Sequence, residues 1–171
     1  MKFVIASMSI FGVLACSRLI PHPPNFTSLL ALSFYVPVFF GLRYLPILLI
    51  SFAITDLIIG YHTGTHWTWG SVLIIGLMSQ YLSKSFNFRI VGALFGALIF
   101  FVITNFGVWT SGMYSFTMSG LIECYTMAIP FFSYSLVSTI IFSLIIEAGY
   151  KLYKTSVLKS IGKTLNKFLI F

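Results

Sequence analysis

The chain has 171 residues, of which 58% are hydrophobic and only 8% charged, and its mean hydropathy is +1.01. A soluble domain carries about 25% charged residues, so this composition excludes a water-soluble surface and specifies an integral membrane protein. The net charge is +7, but five of the ten basic residues follow Glu147; the positive-inside rule accounts for them, and no nucleic-acid partner is expected.

The first apolar segment, 3–20, has two incompatible readings. Met1, Lys2 and the run ending "VLAC" look like a lipoprotein signal whose new N-terminus would be Cys16. The same residues look like a first transmembrane helix ending at Arg18. A lipobox is a short pattern that arises by chance in apolar helices, so the segment is expected to be a retained span. On that helix Ala6, Ser9, Gly12 and Cys16 fall within about 120° of arc, a small-residue face that allows another helix to approach closely.

Arg18 is an ionisable group at membrane depth, costly and by default a functional candidate. It is expected either to snorkel to the headgroups or to pair with Asp56 or Glu123. "PHPPNF" follows, with three prolines in four residues. This stiff, extended loop would hold His22 and Asn25 in place at little entropic cost.

Segments 27–42 and 45–60 form one long apolar run. Continuous helix from Thr27 to Gly60 would be about 51 Å long, well beyond a bilayer core of about 30 Å. "GLRYLP" at its middle marks a hairpin turn. Asp56, in "AITDLIIG", lies one turn before the third span ends and is the expected partner of Arg18 or of a ligand. In "HTGTHW", His62 and His66 are four apart, but Gly64 between them favours a loop, and without a third ligand nearby no metal site is expected.

The fourth segment, 70–83, is short, as is the second, and both are tolerable among longer neighbours. The fifth, 90–109, carries Gly92, Ala93, Gly96 and Ala97, a GxxxG pattern expected to serve internal packing. It ends in "TNFGVW". There Asn105 can bond two partners, Gly107 allows close approach of a backbone or ligand, and Trp109 offers a stacking surface. The sixth, 120–146, opens with Gly120 as its expected N-cap and Glu123 in its first turn, where a carboxylate is either a dipole partner or a ligand group.

After Glu147 the lysines are spaced three to five apart with apolar residues between them, the pattern of an amphipathic helix on an anionic inner leaflet. Six spans put both termini on one side. With the termini inside, nine basic residues fall on the inner side against Arg18 alone outside. The expected fold is thus an all-α membrane protein: a six-transmembrane-helix bundle over 1–147, N-in and C-in, with a basic amphipathic helix over 148–171 at the lipid bilayer. This topology gathers Arg18, His22, Asn25, Asp56, His62, His66, Asn105, Trp109 and Glu123 at the outer face, together with all three tryptophans. The asymmetry favours an outward-facing pocket over an aromatic belt alone.

"SRLIPHPPNFTSLLALSFYVPVFFGLRYLPILLISFAITDLIIG" resembles the N-terminal half of the substrate-binding S-components of energy-coupling factor (ECF) transporters. "RLIPHPPNF", "TDLIIG", "TNFGVW" and "GLIECYTMAIPFF" resemble an uncharacterised bacterial family of six-helix transport proteins. The resemblance implies a subunit of the bacterial cytoplasmic membrane that binds a vitamin-like, water-soluble micronutrient near its outer face. It further implies that Ala6, Ser9, Gly12 and Cys16 meet a transmembrane coupling protein driven by separate ATPase subunits. S-components usually carry alanines on that face, so serine, glycine and cysteine are a departure. No GxxxxGK[ST] motif occurs, and any use of ATP belongs to another subunit. No cofactor or catalytic residue is expected. The alternative is a structural or assembly subunit of a larger membrane complex; a third, an intramembrane enzyme using His22 or His66 with Glu123, lacks a nucleophile or metal triad.

Overall fold

The computed structural model describes residues 1–61 and 64–168, the side chains of Lys2 and of residues 158–168 excepted. Among the described residues every regular element is helical: α1 (Lys2–Leu19), α2 (Leu29–Phe40), α3 (Leu45–Ile59), α4 (Thr65–Met78), α5 (Phe86–Thr110), α6 (Met118–Met127) and α7 (Ile129–Phe168). Three stretches, Leu42–Ile59, Phe86–Thr110 and Ile129–Val157, are long and apolar enough to cross a membrane, and shorter apolar helices cover Phe3–Leu19 and Leu29–Phe40.

The expected turn at "GLRYLP" forms as Gly41, in a backbone conformation with φ of 91°, followed by a 3-10 turn over Leu42–Tyr44. Glycine suits the first position because a side chain there would be strained. Pro46 then sits in the first turn of α3, where its missing N–H has no helical partner to lose.

The sixth apolar segment is not one helix. Ala128 separates α6 from α7, and Pro130, which cannot donate a backbone hydrogen bond, explains the interruption. Beyond it α7 runs without a break from Ile129 to Phe168. Residues 129–147 and the basic stretch after them therefore belong to one helix about 60 Å long, twice the thickness of a bilayer core.

α1 lies against α3, while α2 occupies the centre and meets α4, α5 and α7. One buried cluster joins Leu14, Leu48, Phe52 and Val72 from α1, α3 and α4. A second joins Phe34 and Tyr35 of α2 to Ile75 of α4 and Ala93 and Ala97 of α5. The GxxxG face of α5 is internal: a Cβ on Gly92 would lie 2.6 Å from the Phe34 ring, and one on Gly96 2.9 Å from Ile75. The chain reverses at each short connection, so Arg18 and Asp56 lie at one end of the bundle and Arg89 and Glu147 at the other.

Candidate functional site

Arg18 stands in the last turn of α1, where a cation favours the carbonyl end of the helix. Its guanidinium crosses to α3. One nitrogen donates to Asp56 Oδ1 at 2.6 Å, another to Thr55 Oγ1 and to the Phe52 carbonyl at 3.3 Å, and the group lies 4.5 Å from the centre of the Phe52 ring. Asp56 is 2% exposed, and its second oxygen accepts the indole N–H of Trp69 at 2.6 Å. One carboxylate thus ties α1, α3 and α4 together. A buried charge is tolerated only when paired and hydrogen-bonded, and Asp56 meets both conditions.

The proline loop closes over this cluster as a tight turn rather than as an extended strand. Phe26 donates its N–H to the Pro23 carbonyl at 3.0 Å, and Asn25 has φ of 61°. Proline at the second position and asparagine with positive φ at the third is the pattern of a type II turn. The loop touches α7 at Ser138, whose hydroxyl is shared between the Ser135 carbonyl at 3.0 Å and the Asn25 carbonyl at 3.4 Å. His22 has its ring nitrogens 2.7 Å from the Pro23 carbonyl and 3.2 Å from the Arg18 carbonyl.

Beneath the loop lies a cavity of about 230 Å³ whose polar lining includes Arg18, His22, Asn25, Thr27, Asp56 and Thr68. A second, also of about 230 Å³, adjoins it toward α5 and α7 and includes Thr104 and Asn105. The two share Asn25, Thr68, Phe100 and Ser135. Asn105 gives its amide to the Phe101 carbonyl at 2.7 Å, which leaves its side-chain oxygen as an acceptor.

Of the residues expected at this end, Arg18, His22, Asn25, Asp56 and Asn105 line these cavities. Three others do not. Trp109 donates to the Ser115 carbonyl at 3.0 Å and stands in an aromatic row between Phe106 and Phe116. His66 is exposed beside Trp67, in the first turn of α4 rather than in a loop. Glu123 is exposed on α6; Thr117, not Gly120, caps that helix by accepting the Gly120 N–H, so Glu123 lies past the first turn. His62 lies outside the described residues. Gly107 does serve close approach, but to Trp67, whose ring carbon a Cβ there would meet at 2.3 Å.

Trp69, Thr68 and Ser135 belong to the site without having been singled out as site residues; the available signal was a hydrogen-bonding side chain inside an apolar run. A second ion pair was also missed. Arg89 of α5 grips Glu147 of α7 through two parallel bonds, 2.5 Å from Nε and 2.7 Å from one terminal nitrogen, the fork geometry that makes arginine–carboxylate pairs strong. Tyr35 lies beside Ser143 and Glu147, yet its hydroxyl, like those of Thr139 and Ser143, is buried without a hydrogen-bond partner among the described residues.

On α1, Ser9 and Cys16 are exposed, and a Cβ added to Gly12 would meet nothing within 4 Å. Gly12 and Cys16 border an open apolar groove of about 500 Å³ that reaches Phe142 of α7.

Residues 1–161 match the profile of a family of unknown function, DUF6580. The chain belongs to DUF6580. No curated protein and no solved structure matches it.

Proposed function

We propose that this DUF6580 chain is a membrane-embedded substrate-binding subunit for uptake of a small, water-soluble, vitamin-like micronutrient. In this reading it has six short spans arranged as in an S-component, sits in a bacterial cytoplasmic membrane with both termini inside, and opens its cavity to the outer face. The observation that carries the reading is the convergence of Arg18, Asp56, the proline loop and Asn105 on two adjoining cavities. Ligand sites are concave and mostly apolar, with a few placed polar groups, and this one has that character. Arg18 uses three of its five N–H groups on the acceptors found among the described residues, so donors remain for an anionic or carbonyl-bearing solute. Ser9, Gly12 and Cys16 of α1, but not Ala6, which packs against the buried cluster, offer the surface on which a coupling protein, with its ATPases, would dock.

The test is native mass spectrometry of protein gently extracted from its own host. A solute adduct on the full-length chain, absent from Asn105→Ala and Thr68→Val, supports the reading. Among the described residues both side chains bond within their own helices, so these variants spare the fold. Wild-type protein that carries no adduct, or variants that keep it, would overturn the proposal.

A structural or assembly subunit is the second reading, favoured by the Arg18–Asp56–Trp69 cluster, in which Asp56 neutralises Arg18 and spends both its oxygens within the bundle. It predicts no adduct and a protein partner held in fixed ratio.

A further inference from the structure

The end of the bundle opposite the proline loop holds a crevice of about 580 Å³ between the start of α5 and α7. Its floor is the Arg89–Glu147 pair. Phe86, Leu144 and Ala148 give it apolar walls, and Lys151 and Lys154 stand at its mouth. We propose that this crevice is a binding site for one anionic phospholipid, with its phosphate on the two lysines and an acyl chain along the apolar wall.

Three observations converge on that ligand. The first is charge. The chain has three acidic residues. Asp56 is held by Arg18, Glu147 by Arg89, and Glu123 lies on α6, at the far end of α7 from the lysines. Among the described residues neither Lys151 nor Lys154 is in an ion pair: Glu147, four residues before Lys151, is spent on Arg89, and three-residue spacing sets both lysines on one side of α7. Both are exposed.

The second is depth. Lys151 is 22 residues beyond Ile129, about 33 Å along the helix, which is the thickness of a bilayer core. With the proposed topology and Ile129 at the outer boundary, on which this inference rests, the lysines stand where phosphates lie and the crevice below them where acyl chains lie. The third is the mixed lining. Phe86 and Leu144 are about half exposed, at 47% and 49%. Inorganic phosphate or a soluble anion would use the lysines and leave that wall to bulk acyl chains. An amphiphile uses both halves, and basic pockets between helices at this level are the sites that hold anionic headgroups.

This site is separate from the cavity under the proline loop, and its test needs no knowledge of the solute. Full-length protein in neutral detergent is titrated with phosphatidylglycerol, and bound lipid is counted by native mass spectrometry, with phosphatidylcholine and inorganic phosphate as comparisons. The expected result is one retained phosphatidylglycerol in preference to phosphatidylcholine, unaffected by millimolar phosphate. K151Q/K154Q should weaken that binding about tenfold or more, since each headgroup-level lysine is worth about 1 kcal/mol. K163Q/K167Q, the same charge change further along α7, should leave it within about twofold. Both lysines being exposed, a thermal melt should show the variants folded. Equal retention of the two lipids, equal weakening in the two double variants, or displacement by phosphate alone would each overturn the site.

Discussion

Asp56 accepts Arg18 on one carboxylate oxygen at 2.6 Å while its other oxygen, also at 2.6 Å, holds the indole of Trp69. The pair therefore acts as a three-helix clasp and as the charged wall of a cavity at once. Removing Arg18 leaves Asp56 buried without its cation, and removing Asp56 leaves Arg18, 14% exposed, without its carboxylate.

For that reason Arg18→Ala should destabilise the protein by about 3–5 kcal/mol, the usual cost of an orphaned buried charge, and Asp56→Ala, which orphans the partly exposed Arg18, by less. Arg18→Met combined with Asp56→Leu should recover much of the loss. Thermal unfolding in detergent reads both effects. A double variant no better than either single one would show that the pair is not the source of the loss.

Glycines give a contrast within one chain. Gly107→Ala would set a Cβ 2.3 Å from the rigid Trp67 ring, and overpacking of this kind costs about 1–3 kcal/mol. Gly12→Ala meets nothing and should be neutral or stabilising by up to about 1 kcal/mol through helix propensity. Comparable melting temperatures for the two variants would contradict the packing described for α4 and α5.

Buried hydroxyls without partners behave differently from those with them. Thr139→Val removes a group that is desolvated and unbonded among the described residues, so stability should stay level or rise, by about 1 kcal/mol or more. Thr55→Val has the same shape change but deprives Arg18 of an acceptor, and should lower stability by about 1–3 kcal/mol. The order of the two melting temperatures decides the matter.

At the other end of the bundle, Arg89→Lys keeps the charge and loses the fork that holds both oxygens of Glu147. A single ammonium cannot reproduce that geometry. Chemical denaturation should register a loss of about 1–3 kcal/mol, and an unchanged midpoint would mean that charge alone suffices there.

The partner of Arg18 could be read in advance because the chain offers it so few choices. Ionisable groups in apolar runs seek one another, and with three carboxylates in 171 residues the candidates were Asp56 and Glu123. The internal face of α5 was legible for a similar reason, as small residues four apart mark one side of a helix wherever that helix goes. That Glu147 turns inward to Arg89, and that one helix carries both residues 129–147 and the basic stretch after them, has no mark in local sequence. The break at Ala128 had a signal in Pro130, masked by the apolar run around it.

Composition, hydropathy and the spacing of charges by themselves determined the helical character, the presence of helices apolar enough to cross a membrane, the turn at Gly41 and the crowding of basic residues after Glu147. Those properties depend on each segment's own chemistry in water or lipid. Only the tertiary structure decided that Trp69 bonds Asp56 and that Thr68 and Ser135 join Arg18 and Asp56 around a cavity while Trp109, His66 and Glu123 do not. Helical periodicity states which residues share a face, but which neighbour that face meets depends on how all the helices pack together.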